Sequence, residues 1–464
     1  MSDRIPHHIK SIFVSRLFGR YTYALPGAGE QISDVNILYG ENGLGKTTLL
    51  SLVFHLLSPS PASSHRAAIS GVPFHQLDVE LLDGTRVTAT KDHQLLSGTI
   101  AFRIEKGEAV AEWNYAPNRR TSTIKFAELP PDIDVDRLPE SMKDEVKDLI
   151  AQGKYFAKLS ELKVVPFMLT ADRVFIGDAS DSLDKDTKRR LSVDSSSTRS
   201  KVSELVAEQR TATAAQALAG ATSWLQAKFF EKSYGAGESA STVYQEVVVR
   251  IATTPYRTSS GLLDTQHQAQ LRDVLTQKIN DLNSRSKAFS TLGLPKASIS
   301  ENLLQTIRES SGNKLNLINN VLEPHLAELK ARLDSIEPFY SLVKGFVSNV
   351  NKFFRDKSLV YTLRNGVQIW SSDLTDPTEI QPNQLSSGEQ QLLAIFCHVL
   401  TARDTPSIFI IDEPEISLNI LWQRMLITSL QELSQGSQSQ FLFASHSMEI
   451  LAKHRNRVIS LVTL

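Results

Sequence analysis

The sequence has very little cysteine and almost no net charge. Its single cysteine, Cys397, excludes an internal disulfide framework and is typical of a reducing compartment. That thiol lies in an apolar run, which predicts a buried structural residue rather than a catalytic one. The 50 basic and 51 acidic residues nearly cancel, so net charge gives no support for bulk binding to nucleic acid, although it leaves room for a local basic patch.

Long apolar segments are also absent. No run approaches the about 20 residues that a membrane-spanning helix requires, and the N-terminal segment MSDRIPHHIK lacks the apolar core of a signal peptide. We therefore expect a cytoplasmic protein without a membrane partner. At 464 residues the chain is long enough for two or three domains.

The pattern of apolar residues divides the chain into three predicted segments. Residues 1–177 read mainly as strands, whereas residues 349–464 alternate strands and helices as in a parallel α/β sheet. Between them, residues 178–348 contain leucine stripes with helical spacing. Two such stripes lie at 271–282 and 322–336. They predict either an antiparallel helical arm or a compact helical cap, and the spacing leaves both alternatives open.

The strongest motif is GENGLGKT at residues 40–47, which follows a predicted strand and opens an apolar stretch suited to a helix. It matches the phosphate-binding P-loop, whose backbone N–H groups cradle phosphates at a helix N-terminus. Lys46 would reach the β- and γ-phosphates of ATP, and Thr47 would give its hydroxyl to Mg²⁺. The residues predicted to bind the nucleotide here are Gly40, Asn42, Gly43, Gly45, Lys46, Thr47 and Thr48.

A second motif consists of two carboxylates at the end of an apolar strand. Asp412 and Glu413 directly follow four apolar residues, and ligand sites in open α/β sheets lie at that edge. Asp412 is therefore predicted to hold Mg²⁺, and Glu413 to polarise the attacking water. An apolar strand ending in Asp-Glu is common by itself, but together with the P-loop it is a specific signal of a nucleotide site.

A third motif, LSSGEQQ at residues 385–391, precedes an apolar helix. Small hydroxyl residues and a glycine at a helix N-terminus form an anion cradle without any lysine. Alone, the segment reads as a helix N-cap with a capping glutamate. Its position just upstream of the acidic strand favours a role at the nucleotide for Ser386, Ser387 and Gly388.

Together the three motifs resemble those of the ATP-binding-cassette superfamily, whose signature is LSGGQ-like. The resemblance implies an α/β P-loop NTPase head with a mixed sheet flanked by helices. It also implies that the signature segment of one head, Ser386, Ser387 and Gly388, completes the ATP site of another. A homo-dimer or higher homo-oligomer is then expected. Ser387 stands where many members have glycine, and Glu389 where many have glutamine, a variation usual in the chromosome-maintenance and DNA-repair branch.

Further positions follow from the same resemblance. Residues 414–419 are similar to the D-loop, which lies at the dimer seam, and His446 is similar to the switch histidine that contacts the γ-phosphate. The Q-loop glutamine and the adenine contacts are not fixed by the sequence. Asp172-Arg173, after a short predicted strand, would either lie near the nucleotide or form a surface pair. The other candidates are Gln76 and Gln94 for the Q-loop, and Phe18, Arg20 or Tyr21 for the adenine. For each of the last three, core packing is an equally good interpretation.

The long separation of Lys46 from Ser386, with helical sequence between, resembles the heads of the overcoming-lysogenization-defect, RecF and Rad50 type. Because the chain ends at Leu464, soon after His446, no C-terminal Toprim nuclease domain is expected. This layout resembles the stand-alone ATPases of anti-phage systems such as PARIS and Septu. It implies an ATPase that controls a separate Toprim or HNH nuclease after a DNA or phage-protein trigger. The alternative is a DNA-repair ATPase that clamps DNA, and the insertion disfavours a transporter subunit.

Overall fold

The structure is a computed structural model and describes residues 6–27, 32–61, 63–117, 139–171, 175–177, 208–231, 265–294, 301–309, 312–372 and 377–464. The chain forms two compact units: Met1–Ala215 with Leu385–Leu464, and Gln216–Gln384. The sequence instead predicts domain boundaries after residues 177 and 348, and that three-part division stays a prediction. The hairpin of Lys357–Thr362 and Gly366–Ser371 contributes to the difference, because it packs on the helix Gly312–Asn351 within the second unit.

A six-stranded central sheet lies in the first unit. In spatial order its strands are Val458–Ser460, Val35–Tyr39, Ser439–Ala444, Ser407–Asp412, Val165–Leu169 and Phe175–Gly177. The first five strands are parallel and the last is antiparallel to its neighbour. Ser407–Asp412 and Ser439–Ala444 are buried along their whole length, as parallel strands are when helices cover both faces. The predicted α/β fold with a mixed sheet flanked by helices is confirmed.

The first unit also contains these helices: Lys46–Leu57, Ser63–Gly71, Glu140–Glu161, Ser387–Thr401, Ile420–Ser434 and Met448–Lys453, with short 3-10 turns at Ala402–Asp404 and Arg455–Arg457. Cys397 is buried in the helix Ser387–Thr401, as predicted, and burial raises the pKa of its thiol. Among the described residues, no helix combines the length and apolarity needed to cross a bilayer.

An antiparallel outer sheet of six strands completes the first unit. Its strands, in spatial order, are Tyr21–Leu25, Ile9–Leu17, Gln76–Leu81, Arg86–Thr90, Ile100–Lys106 and Ala109–Tyr115. The helix Glu140–Glu161 packs on the last of these strands, with Tyr155 and Phe156 against Trp113. This helix was not predicted from the sequence, because lysines and acidic residues interrupt its apolar stripe.

The second unit is largely helical. Its elements are part of the helix 208–231, the helices Thr265–Ser290, Glu301–Glu309 and Gly312–Asn351, the hairpin, and the 3-10 turn Pro382–Gln384.

The two long helices of this unit run parallel. Lys278 pairs with Glu323 at 3.2 Å and Arg285 with Glu337 at 3.1 Å, so both partners advance along the chain together. The rings of Phe289 and Tyr340, which lie further along both helices, are also in contact, with centroids 4.8 Å apart. The antiparallel pairing predicted as one alternative is therefore wrong. Equal leucine spacing on two helices does not encode their relative direction, which depends on the connection through Glu301–Glu309.

Candidate active site

Three segments that are predicted to contact the nucleotide each follow a strand, and they lie at one edge of the central sheet. Val35–Tyr39, Ser439–Ala444 and Ser407–Asp412 are adjacent and parallel, so their carboxyl ends point the same way. Ala444 is in register with Leu38 on one side and with Asp412 on the other. The loop that begins at Gly40, the pair Asp412-Glu413 and the loop 445–447 therefore emerge side by side, at the edge where open α/β sheets bind ligands.

The conformation of the loop 40–47 depends on glycine. Gly43 has a φ of 86° and Gly45 a φ of 82°, values that L-residues rarely adopt. Gly45 also begins the helix Lys46–Leu57, and a Cβ atom there would lie 3.0 Å from the ring of Phe18. The backbone N–H groups at the start of this helix, including those of Thr47 and Thr48, are the donors that a phosphate group uses.

Lys46 is folded into this loop. Its Nζ donates hydrogen bonds to the carbonyl oxygens of Gly40 at 2.8 Å and Glu41 at 3.0 Å. Burial lowers the pKa of Lys46, and the negative charges of Glu413 and Asp412 oppose this shift. The ammonium group therefore lies within electrostatic reach of the two carboxylates at the neighbouring strand end.

Asp412 is 1% exposed, and neither of its carboxylate oxygens has a hydrogen-bond partner among the described residues. Burial raises its pKa, the nearby Thr47 side chain and Lys46 lower it, and Glu413 raises it further. A buried, unpaired carboxylate is costly unless a cation binds it. The two oxygen donors, on Asp412 and Thr47, are of the kind that Mg²⁺ takes in P-loop sites, with phosphate and water as its other ligands.

No group of three or more His, Cys, Asp or Glu side chains suited to a metal occurs among the described residues. That finding is compatible with the Mg²⁺ site, which takes a single carboxylate and a hydroxyl from the protein.

Glu413 has a strained backbone. Its φ is 46°, which is uncommon for a residue other than glycine and is often found at functional sites. The Glu413 N–H donates to the carbonyl of Ala444 at 2.9 Å, which holds this conformation across the two strand ends. This hydrogen bond and the register of the two strands place the Glu413 backbone directly beside the loop that carries His446.

Glu415, which the sequence analysis assigned only to the D-loop segment, binds the loop of His446. Its Oε1 accepts hydrogen bonds from the Ser445 hydroxyl at 2.9 Å, the His446 N–H at 2.7 Å and the Ser447 N–H at 3.0 Å. The available signal was a second carboxylate just after Asp412-Glu413. Its partner could not be read from the sequence, since that requires the register of two strands.

The signature segment lies elsewhere in the same unit. Ser386 caps the helix Ser387–Thr401 in a reciprocal capping box: its N–H donates to Glu389 at 2.8 Å, and its hydroxyl accepts from the Glu389 N–H at 3.4 Å. Gly388 packs against the carbonyl of Ser417. In the described chain no hydrogen bond or ion pair joins Ser386, Ser387 or Gly388 to the loop 40–47.

The less certain candidates are scattered. Phe18 is 40% exposed and its ring contacts Gly45, so it lies beside the phosphate loop. Tyr21 is in the outer sheet and stacks on Tyr23, with centroids 5.9 Å apart. Gln76 is also in that sheet and donates to Asp78 at 2.7 Å. The structure places Arg20 in the turn after Phe18 and Gln94 in the turn after Arg86–Thr90, and Asp172-Arg173 lie outside the described residues.

A family model described as the AAA ATPase domain matches residues 30–451. The uncharacterized ABC transporter ATP-binding protein YejF of Escherichia coli (strain K12) is 29% identical over 161 residues, 33% of this chain and 27% of that protein. The molybdenum import ATP-binding protein ModC of the same strain is 38% identical over 80 residues, 17% of this chain and 22% of that protein. The chain thus spans about a quarter of the length of these curated relatives.

Two solved structures are similar along their length but only at low scores. The Smc head domain with an extended coiled coil bound to the C-terminal domain of ScpA, from Pyrococcus furiosus, is 13% identical with a TM-score of 0.33, covering 98% of this chain and 96% of its own. The Smc head domain with a coiled coil and joint from Pyrococcus yayanosii is 14% identical with a TM-score of 0.31, covering 98% and 97%. Likeness at this level carries no argument about function.

Proposed function

The chain belongs to the AAA ATPase domain family, and on that premise we propose that it binds ATP with Mg²⁺ and hydrolyses it. The observation that carries the proposal is the single sheet edge at which Lys46, Asp412, Glu413 and the loop of His446 lie side by side. A phosphate-binding helix N-terminus, a lysine ammonium group and two carboxylates in one place are what phosphoryl transfer to water requires.

Each residue at this edge has a role in the proposal. The N–H groups of the loop 40–47 and Lys46 bind the β- and γ-phosphates, for which Lys46 exchanges its present carbonyl partners. Thr47 and Asp412 would hold Mg²⁺, which neutralises phosphate charge when bound. Glu413 orients and polarises the attacking water, and the ring of His446 contacts the γ-phosphate.

We further propose that the site is completed by a second copy of the chain. Ser386, Ser387 and Gly388 present a helix N-terminus, which attracts anions, yet no hydrogen bond or ion pair ties them to the described loop 40–47 of their own chain. A signature segment from a partner would supply the missing contacts to the γ-phosphate. ATP then acts as a link between subunits, and the active form is a homo-dimer or larger homo-oligomer.

The biological output that we propose is control of a separate effector nuclease in anti-phage defence, through ATP-dependent assembly. The support for this output is the motif resemblance described in the sequence analysis. A DNA-repair ATPase that clamps duplex DNA is the alternative. Affinity purification of the native protein separates the two, since a co-purifying nuclease favours the first and tight ATP-dependent DNA binding without a protein partner favours the second.

Steady-state phosphate release tests the central proposal. The purified chain should hydrolyse ATP in the presence of Mg²⁺ and lose this activity when Mg²⁺ is chelated. Its mass in solution, measured by light scattering with and without ATP, should increase on ATP binding. A chain that neither binds nor hydrolyses ATP would contradict the proposal.

A further inference from the structure

The loop 445–447, which we name the switch loop, is held by main-chain hydrogen bonds to a single carboxylate oxygen. Two of the three donors to Glu415 Oε1 are backbone N–H groups, those of His446 and Ser447. Hydrogen bonds to an ionised acceptor are about twice as strong as neutral ones. Glu415 therefore fixes the backbone from which the His446 ring projects, while among the described residues that ring makes no hydrogen bond of its own.

Glu415 is poorly placed to act on a water molecule itself. Its Oε1 is fully engaged with the switch loop, and its Oε2 is buried without a partner among the described residues. Glu413 and Glu415 are both partly exposed. Among the described residues, however, the Glu413 side chain makes no hydrogen bond, and only its backbone is engaged. The geometry thus separates a residue at the reacting edge from one that holds the neighbouring loop.

Gln423 ties the same loop to the D-loop. It accepts a hydrogen bond from the Ser447 hydroxyl at 2.6 Å, and its Nε2 donates to the carbonyl of Leu418 at 2.9 Å. The Ser447 oxygen in turn accepts from the Ile450 N–H at 3.3 Å and caps the helix Met448–Lys453. The switch loop is therefore held from two directions by residues that follow the acidic strand.

We propose that Glu415, assisted by Gln423, is a positioning residue for ATP hydrolysis and acts through His446. The inference rests on the proposed function, since it assigns how the switch histidine of that site is held. With the carboxylate absent, the switch loop loses three hydrogen bonds, the imidazole leaves its position at the γ-phosphate, and turnover falls. Nucleotide affinity changes little, because the loop 40–47 makes none of these contacts.

The test is a double-mutant cycle on the full-length protein. Turnover at saturating Mg-ATP, nucleotide affinity and melting temperature are measured for Glu415→Ala, His446→Ala, the double variant and the wild type. Glu415→Ala should lower kcat by about 10- to 100-fold and change ATP affinity by less than about threefold. In the His446→Ala background the same substitution should have almost no further effect on kcat.

Two further variants calibrate this cycle. Glu415→Gln keeps an amide oxygen that accepts the same three bonds, so it should retain kcat within about threefold of the wild type. Arg424→Ala removes the exposed ion pair with Glu449, at 2.6 Å. This pair joins the helices Ile420–Ser434 and Met448–Lys453 without contacting the switch loop. It should leave kcat within about twofold of the wild type, because exposed pairs contribute little.

The charge on Glu415 also raises the pKa of Lys46 and of Asp412, and the cycle separates that effect from positioning. If Glu415→Ala lowers kcat by the same factor with and without His446, its effect does not pass through His446 and the inference is overturned. Unchanged turnover in Glu415→Ala or in His446→Ala also overturns it, while the ATPase proposal stands as long as the wild type hydrolyses ATP. A wild type without turnover overturns both.

If Glu415→Ala yields no folded protein, Gln423→Leu replaces it in the cycle. This substitution removes both the acceptor for Ser447 and the donor to Leu418. We expect a loss in kcat of about 3- to 10-fold that disappears in the His446→Ala background. A loss that persists there, or no loss at all, overturns the inference.

Discussion

A Cβ atom on Gly388 would lie 2.9 Å from the carbonyl oxygen of Ser417 in the same chain. No real Cβ atom is accommodated at that distance without movement of the neighbouring backbone. Ser417 itself has a φ of 63°, so the D-loop at this point has little freedom to relax. The glycine that we propose for a partner's ATP site therefore also determines packing within its own subunit.

Gly388→Ala should destabilise the protein even without nucleotide. We expect the free energy of unfolding to fall by about 1–3 kcal/mol, as for other insertions of a methyl group into a packed site. Urea unfolding of the nucleotide-free protein measures this value. Ser387→Ala is the matched control, since it adds no atom, and should stay within about 0.5 kcal/mol of the wild type. Equal stabilities for the two variants would contradict the packing argument.

Substitutions at Lys46 and at Glu413 should affect different steps, ATP binding and ATP hydrolysis. Lys46→Ala removes the cation in the phosphate loop and should abolish measurable ATP binding. Glu413→Gln keeps the shape of the side chain but not its basicity. It should therefore bind ATP, hydrolyse it at least about 100-fold more slowly than the wild type, and accumulate the assembled form. Equilibrium nucleotide binding and phosphate release measure the two effects.

Glu449→Gln is the control for this pair, because it neutralises an acidic residue whose partner is the exposed Arg424. Its turnover should match that of the wild type. If Glu413→Gln also hydrolyses ATP at the wild-type rate, Glu413 does not polarise the water.

The composite site predicts complementation between two inactive variants. Lys46→Ala lacks a working phosphate loop, and Ser387→Arg blocks the signature segment that would complete the partner's site. A mixed dimer pairs one intact phosphate loop with one intact signature segment, so mixing the variants should restore up to about half of the wild-type activity per mixed dimer. Turnover is measured after the proteins are mixed at equal concentration. No recovery, with formation of mixed dimers verified by co-purification of differently tagged variants, would contradict a site shared between copies.

Motifs within one short segment were predictable, whereas contacts between segments were not. The P-loop and the acidic strand end are local patterns, and a parallel sheet brings strand ends to one edge, so the grouping of Lys46 and Asp412 followed from the sequence. The bond between Glu415 and the switch loop depends on the register of Ser407–Asp412 and Ser439–Ala444, which no local pattern records. The relative direction of the two long helices of the second unit could not be predicted either, because it also depends on contacts between distant segments.

Asp412 should cost stability when no cation is bound. Its pKa is raised in the folded state, chiefly by burial, so its contribution to stability is fully present below the unfolded pKa of 3.8 and is lost as pH rises through the folded pKa. At pH 8 we therefore expect Asp412→Asn to melt a few degrees above the wild type in the absence of nucleotide. Adding Mg-ATP should reverse the order, because the amide is a poor ligand for Mg²⁺ and the wild type gains more from binding. Differential scanning fluorimetry with and without Mg-ATP tests both statements, and a wild type that melts higher in both conditions would contradict the first.

His398 should make the protein sensitive to mild acid. Its ring stacks on Phe175 with centroids 3.9 Å apart, and burial lowers its pKa from 6.5 to about 4. Between these values the unfolded chain binds a proton that the folded chain does not, so stability falls as pH falls through this window. Because the side chain keeps some solvent contact, we expect a loss of about 1–3 kcal/mol. His398→Phe should flatten this part of the profile of stability against pH, measured by urea unfolding between pH 7 and 4, whereas His325→Gln, at an exposed position, should leave it unchanged. A His398→Phe profile as steep as that of the wild type would assign the acid sensitivity to other groups.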